Sequence, residues 1–317
     1  MNKITLICPY FGQKFPTTFP ILVKTMINNP NIRFIIPTNL IYNLTDISDN
    51  ILFIKTDLSS LNTQIDKILG YHARLHSPYK LVDFKPMYGE LFSEYIKGSD
   101  WWGYFDSDII FGNISEFLTD ELLNNYDRIF TLGHLTLFRN EKAINSLWNN
   151  NFNLPEVPSF KEVSTSKAIF AFDEWGWGKN RGRGLSYALN RKNIIRQFDN
   201  KSWFADIIKD NFEFKTTSGN FIDYFIYSNG KLIGYEKNKK IEYLYAHFQK
   251  RSMKNKVIEY NLPIYITPNI MSVEKKYEPN EFNQWAKDQK HRRIKQIKAN
   301  LNYSYLKRRL KFIKTEK

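Results

Sequence analysis

The sequence predicts an α/β fold built on a mainly parallel sheet, and three observations lead there. Short apolar runs bounded by turn residues alternate with helical stretches, the pattern of βαβ units. The chain has 317 residues, 42% hydrophobic and 16% aromatic, enough to bury the core of one large domain. Its single cysteine, Cys8, excludes an internal disulfide or a cysteine metal cage and reads, within its apolar run, as a small buried hydrophobe.

Residues 4–8 form the first expected strand, stopped by Pro9-Tyr10-Phe11-Gly12. Residues 21–27 read as helix, ending at Asn28-Asn29-Pro30. Residues 33–36 and 51–54 are the next buried strands. Parallel sheets bind ligands beyond the C-terminal ends of their strands, which puts Tyr10, Phe11, Gly12, Thr38 and Asn39 on the ligand side. A helix is expected over 88–96, with Gly98 as its stop. The apolar run 101–105 then enters Asp106-Ser107-Asp108 as a strand. Residues 114–123 read as helix, and 129–132 with 135–138 as paired strands. The Trp/Gly-rich stretch 175–184 fits no regular structure and is expected to be a mobile loop. Residues 231–235 and 241–246 resemble a hairpin that delivers His247-Phe248-Gln249-Lys250-Arg251. Residues 1–285 form one expected domain and 286–317 a basic tail.

The net charge of +14 suggests a nucleic-acid partner until it is located. Residues 287–317 carry twelve Lys or Arg against two acids, ten of the fourteen net charges. The body is only mildly basic, so no nucleic-acid partner is expected. In the tail, Ile294, Ile297, Leu301, Leu306, Leu310 and Ile313 recur at near-helical intervals among cations. A basic amphipathic helix of that kind either lies on anionic lipid or is a solvated helical end. The N-terminal apolar run is too short for a signal-peptide core, no stretch approaches a membrane span, and one thiol fits a cytoplasmic setting.

Asp106 and Asp108 offer two carboxylates at the end of an apolar strand, an arrangement that suits one hard divalent cation. Inside so apolar a stretch, acids need a partner or a metal. Asp173 and Glu174, beside the Trp/Gly loop, suit orientation or deprotonation of an acceptor hydroxyl, with helix initiation as the competing role. Trp175 and Trp177 suit a sugar face or plain packing.

Residues 79–89 and 101–112 resemble a family of bacterial glycosyltransferases associated with capsule, O-antigen and related surface polysaccharides. Residues 8–12, 132–140, 172–174 and 247–251 resemble the same family in the same order, so the likeness spans roughly 1–255 and not the tail. It implies a GT-A fold: a Rossmann-like, mostly parallel sheet flanked by helices. It further implies a metal-dependent transfer from a nucleotide-sugar, with a UDP-sugar the expected donor, to a hydroxyl of a surface glycan. Mn2+ or Mg2+ would sit on Asp106, Asp108 and His247, and Lys250 and Arg251 would bind the diphosphate. Tyr10, Phe11 and Gly12 would line the base and ribose pocket, with Ser107 beside them. Gly133 and His134 would line the donor-sugar pocket, though a core role suits His134 as well.

A more distant likeness to retaining lipopolysaccharide galactosyltransferases and glucosylating toxins implies nucleotide contacts for Asp83 and Lys85. Lys85 stands where those enzymes have Arg, and Asp83 serves equally as a helix cap. A lipid-linked glycan acceptor would bring the tail to the inner face of the cytoplasmic membrane. A sugar nucleotidyltransferase is the rival enzyme, since it uses the same acid pair but attacks the α-phosphate and releases pyrophosphate. A non-catalytic nucleic-acid binder acting through the tail is the third reading.

Overall fold

The computed structural model describes residues 2–42, 48–178, 182–237 and 239–276, with 282–283, 285–287, 289–291 and 294 beyond them. Most of the expected amphipathic tail over 286–317 lies outside the described residues.

The strands in chain order are β1 (Ile4–Ile7), β2 (Ile32–Thr38), β3 (Ile51–Lys55), β4 (Trp101–Phe105), β5 (Ile109–Phe111), β6 (Arg128–Leu132), β7 (Leu135–Arg139) and β8 (Gln197–Phe198). There follow β9 (Phe204–Asp206), β10 (Phe214–Lys215), β11 (Phe221–Ile222), β12 (Tyr224–Ser228), β13 (Lys231–Glu236) and β14 (Lys239–Tyr243). The last are β15 (Tyr245–His247), β16 (Lys254–Asn255), β17 (Ile264–Ile266) and β18 (Ile270–Ser272). The central sheet runs β3-β2-β1-β4-β7-β6-β8. Its pairs are parallel from β3 through to β4, antiparallel at β4–β7 and β7–β6, and parallel again at β6–β8. The mixed α/β class with a mostly parallel central sheet is therefore the observed architecture.

Period-two alternation divides the sheet between two cores. Ile7, Ile35, Trp102, Tyr104 and Phe138 point to one face, where Leu61 and Ile65 of helix α2 (Leu58–Leu69) and the segments around Phe84, Phe160 and Leu189 cover them. Leu6, Phe34, Trp101, Phe105 and Leu137 point to the other, under Phe19, Leu22 and Met26 of helix α1 (Phe19–Ile27). A third core lies under the sheet β14-β13-β12-β17-β18-β16.

Three expected elements differ. The helix over 88–96 is one α turn (Tyr88–Leu91) and a 3-10 turn (Ser93–Tyr95), entered through a longer 3-10 stretch, Pro78–Met87. Pro86 in that stretch has no N–H to give to an α ladder. The helix over 114–123 breaks into Ile114–Phe117 and Asp120–Asn125, because the Thr119 hydroxyl takes the Leu122 N–H and starts a new helix. The second hairpin strand, expected over 241–246, divides at Leu244. β14 completes the hairpin with β13, while β15 joins a separate sheet, β5-β15-β9.

Candidate metal and donor site

The division at Leu244 builds the site. β4 ends at Phe105, so Asp106 is the first residue beyond the C-terminal edge of the parallel strands, and Asp108 leads directly into β5. β5 pairs antiparallel with β15, with His247 opposite Ile109. The strand register thereby fixes the imidazole beside the acid pair, and the Phe248 N–H seals it with a 3.0 Å bond to the Asp108 carbonyl. His247 Nε2 lies 3.5 Å from Asp108 Oδ1 and 3.8 Å from Asp106 Oδ2. One ligand atom from each of the three residues lies within 4.8 Å of the other two.

The next two residues turn in the left-handed region, Gln249 at φ 48° and Lys250 at φ 59°. That conformation is strained for residues with side chains. It directs the Lys250 N–H onto Asp108 Oδ2 and places the Lys250 ammonium 4.2 Å from the centroid of the Tyr79 ring.

The opposite wall comes from the β6–β7 turn. Phe130, at φ 63°, marks a bulge in β6 that changes register between Ile129 and Leu132. Beyond it, the His134 carbonyl accepts the Asp106 N–H at 3.0 Å, and the His134 ring stacks on His247 at 4.6 Å. Gly133 is a position where a side chain has no room: a Cβ there would lie 2.4 Å from Asp173 Oδ2. Lys85 reaches in from the 3-10 stretch, its Nζ 2.7 Å from Asp106 Oδ1, 2.8 Å from the Gly133 carbonyl and 3.3 Å from Asp173 Oδ2. Its protons are thus met by protein acceptors, and it braces Asp106 against Asp173. Glu174 accepts the Gly133 N–H at 3.4 Å.

Two cavities meet over these residues. The larger, about 520 Å3, is lined by Asp106, Asp108, Gly133, His134, Asp173, Glu174, Trp177, His247 and Lys250 among others. The smaller, about 230 Å3, is lined by Cys8, Tyr10, Phe11 and Ser107 and shares Tyr79, Lys85, Asp106, Asp108 and Lys250 with the first. Trp175 is exposed, with its ring 6.5 Å from that of Tyr187.

Three expected ligands are placed elsewhere. Arg251 is buried outside both cavity linings, and its guanidinium donates to the carbonyls of Pro268, Asn211 and Phe212 rather than facing the site. Asp83 is fully buried and accepts the Lys80 ammonium at 2.8 Å and the backbone N–H groups of Phe170 and Phe172. It is an internal strut, not a nucleotide contact. Gly12 lies outside both linings, its N–H bonded to Asn39 Oδ1 at 3.0 Å.

Asp206 is a site residue that the sequence reading missed. It ends β9 as the register partner of His247, with Oδ1 2.8 Å from His247 Nδ1. The signal was present, since Trp203-Phe204-Ala205-Asp206 is another apolar strand closing on an acid, like the run into Asp106.

The electrostatics follow from burial and charge pairing. Burial pulls the His247 pKa down, but Asp108, Asp206 and Asp106 more than reverse this and lift it to about 10. Burial pushes the Asp108 carboxyl up, and His247 and Lys250 outweigh it, holding the group well below the ordinary carboxylate range. Burial and the neighbouring His247 charge lower His134 to about 3, so that ring stays neutral. Burial raises both Asp173, to about 7, and Glu174.

The residues fit a divalent cation. Asp108 Oδ1 is buried without a hydrogen-bond partner among the described residues, and it faces the one imidazole nitrogen that meets both acids. Two carboxylates and an imidazole are a suitable donor set for Mn2+.

Comparison with solved structures finds loose likenesses to glycosyltransferases. The galactosyltransferase LgtC, in complex with donor and acceptor sugar analogues, is 12% identical with a TM-score of 0.37, over 64% of this chain and 75% of that one. A glycosyltransferase involved in glycosylation of the major capsid of PBCV-1 is 7% identical at 0.34, over 64% and 84%. GlyE of Streptococcus pneumoniae TIGR4 is 12% identical at 0.33, over 64% and 46%. No curated protein matches the sequence. Residues 6–275 match the family described as "Family of unknown function (DUF6625)", and the chain belongs to that family.

Proposed function

We propose that the protein is a metal-dependent glycosyltransferase of the GT-A type that moves a sugar from a UDP-sugar to a hydroxyl of a surface glycan. One observation carries the reading. Two acids at the end of a parallel strand and a histidine from far along the chain meet in one cavity at the strands' C-terminal edge. The order of motifs that resembles surface-polysaccharide glycosyltransferases supports the same conclusion.

Asp106, Asp108 and His247 would hold Mn2+ or Mg2+. The bound ion supplies charge neutralisation for the departing diphosphate. Lys250, whose ammonium lies over the Tyr79 ring and borders both cavities, is the cation suited to phosphate oxygens. Arg251 and Asp83 take no part in donor binding. Tyr10, Phe11 and Ser107 line the smaller cavity, which suits the base and ribose. Trp177 offers a flat face to a sugar in the larger one. Transfer joins the acceptor oxygen to the anomeric carbon, breaks the bond to the diphosphate and releases the hydroxyl proton. Asp173 and Glu174 border that cavity, and a carboxyl with a pKa near 7 is matched to proton exchange at neutral pH.

A panel of nucleotide-sugars incubated with the protein and Mn2+ tests the reading through the released product. Nucleoside diphosphate is expected, and Asp108→Asn should reduce its release by at least about 100-fold, the scale for removing a main transition-state stabiliser. Pyrophosphate as the product would identify nucleotidyl transfer instead. Undiminished release after EDTA treatment would exclude the metal.

A further inference from the structure

We propose that Asp206 is a positioning residue for the metal, holding the His247 ring so that Nε2 faces the Asp106–Asp108 pair. The inference rests on the metal reading above.

An imidazole has two nitrogens, and the one left free to bind a cation depends on the partner of the other. His247 and Asp206 are register partners in the parallel pair β15–β9, so the backbone itself sets their side chains next to each other. Nδ1 lies 2.8 Å from Asp206 Oδ1, and the Gln249 amide donates to the same oxygen at 2.9 Å. Both side chains are buried. The His134 ring stacks on His247 at 29° between planes, and His134 is itself tied through Nδ1 to the Tyr245 hydroxyl at 2.9 Å. The His247 ring is thus held at one edge by a carboxylate and on one face by a second ring. With Nδ1–H donating to Asp206, Nε2 is the nitrogen that faces the two acids, and a cation between them would displace its proton and take its lone pair. The carboxylate also makes that nitrogen a stronger donor. Without Asp206, the ring is free to turn or to carry its proton on the wrong nitrogen.

A competing role is available to Asp206. One atom each from His134, Asp206 and His247 also lies within 4.8 Å of the others, which would make Asp206 a ligand itself. Against this, Asp206 Oδ1 already takes two donors, from His247 and Gln249, although His134 Nε2 is buried without a partner among the described residues.

The test is Mn2+ binding to the full chain, followed by the paramagnetic resonance signal of the free ion, with folding checked by circular dichroism. Asp206→Asn keeps the shape of the side chain and removes its charge. Asp206→Ser makes the same test should the Asn variant fail to fold. The expected result is one ion per chain in the wild type and a dissociation constant about 10- to 100-fold higher in the variant. In a His247→Ala background, the same substitution should add less than about twofold, because Asp206 acts through that ring. A residue that merely stabilises the fold would show no such dependence. The proposal is overturned if Asp206→Asn binds Mn2+ like the wild type, or if the two substitutions add in full. It is also overturned by two ions per wild-type chain with one lost on Asp206→Asn. A wild-type chain that takes up no Mn2+ removes the metal reading itself, and this inference with it.

Discussion

Burial lifts the Asp173 carboxyl from 3.8 to about 7, with Glu174 and Asp106 adding to the rise and Lys85 offsetting part of it. The consequence for stability has a definite sign. Between about pH 4 and 7 the unfolded chain loses this proton while the folded chain keeps it, so stability falls as pH rises through that window. Asp173→Asn cannot ionise, and Lys85 retains Asp106 and the Gly133 carbonyl as partners. The variant should melt near the wild-type temperature at pH 4, and progressively above it as the pH approaches 7. The gap should then stay level to pH 8, read by thermal unfolding at each pH. A constant difference at every pH would show that Asp173 does not titrate in this range. At this scale the sequence was most informative where a residue type sits at the end of an apolar strand, as at Asp106, Asp108 and His247. It was least informative for Arg251 and Asp83, whose partners are backbone groups. No spacing of side chains reveals that the carbonyls of Pro268, Asn211 and Phe212 arrive around one guanidinium.

The 3-10 stretch Pro78–Met87 contacts both walls of the site, and the buried Lys80–Asp83 pair fastens it. Lys80 donates to Asp83 and to the carbonyls of Val163 and Ala168, while Asp83 takes the N–H groups of Phe170 and Phe172. The pair therefore holds the backbone that leads into Asp173. Asp83→Ala leaves a buried ammonium without its counter-charge and two backbone donors without acceptors. It should cost about 3–5 kcal/mol, as breaking one side of a buried ion pair does. Denaturant unfolding with an unchanged slope reads this directly, and a loss under about 1 kcal/mol, the scale of an exposed pair, would contradict the strut. Elements were legible in the sequence where periodicity is strong, as in β1, β2 and β4. They were misjudged where one side chain or one proline redirects the backbone. Thr119 restarts a helix, Pro86 denies an α ladder, and the crossing at Leu244 sends one apolar run into two sheets.

Across the whole molecule, the described residues contain no helix long and apolar enough to cross a membrane. Ten of the fourteen net charges belong to residues 287–317. If that segment carries the protein to lipid, deleting it should abolish sedimentation with phosphatidylglycerol vesicles and leave Mn2+-dependent hydrolysis of a soluble donor within about twofold, since each surface cation contributes about 1 kcal/mol to lipid attraction. Sedimentation that survives the deletion would place the lipid contact on the body. The order of motifs along the chain foretold the class of fold, and the hairpin β13–β14 was read in part, but not the six-stranded sheet it belongs to, because β16, β17 and β18 are only two or three residues long and show no period. The pairing of β5 with β15 joins residues as far apart as Asp108 and Lys250, separated by 142 positions. During synthesis, a ribosome that has made the acid pair still has nearly half of the chain to deliver before the imidazole exists. The proposed ion-binding centre is thus assembled late, and Mn2+ bound there should protect chains that include β15 from proteolysis and leave nascent fragments ending before β15 as vulnerable as they were.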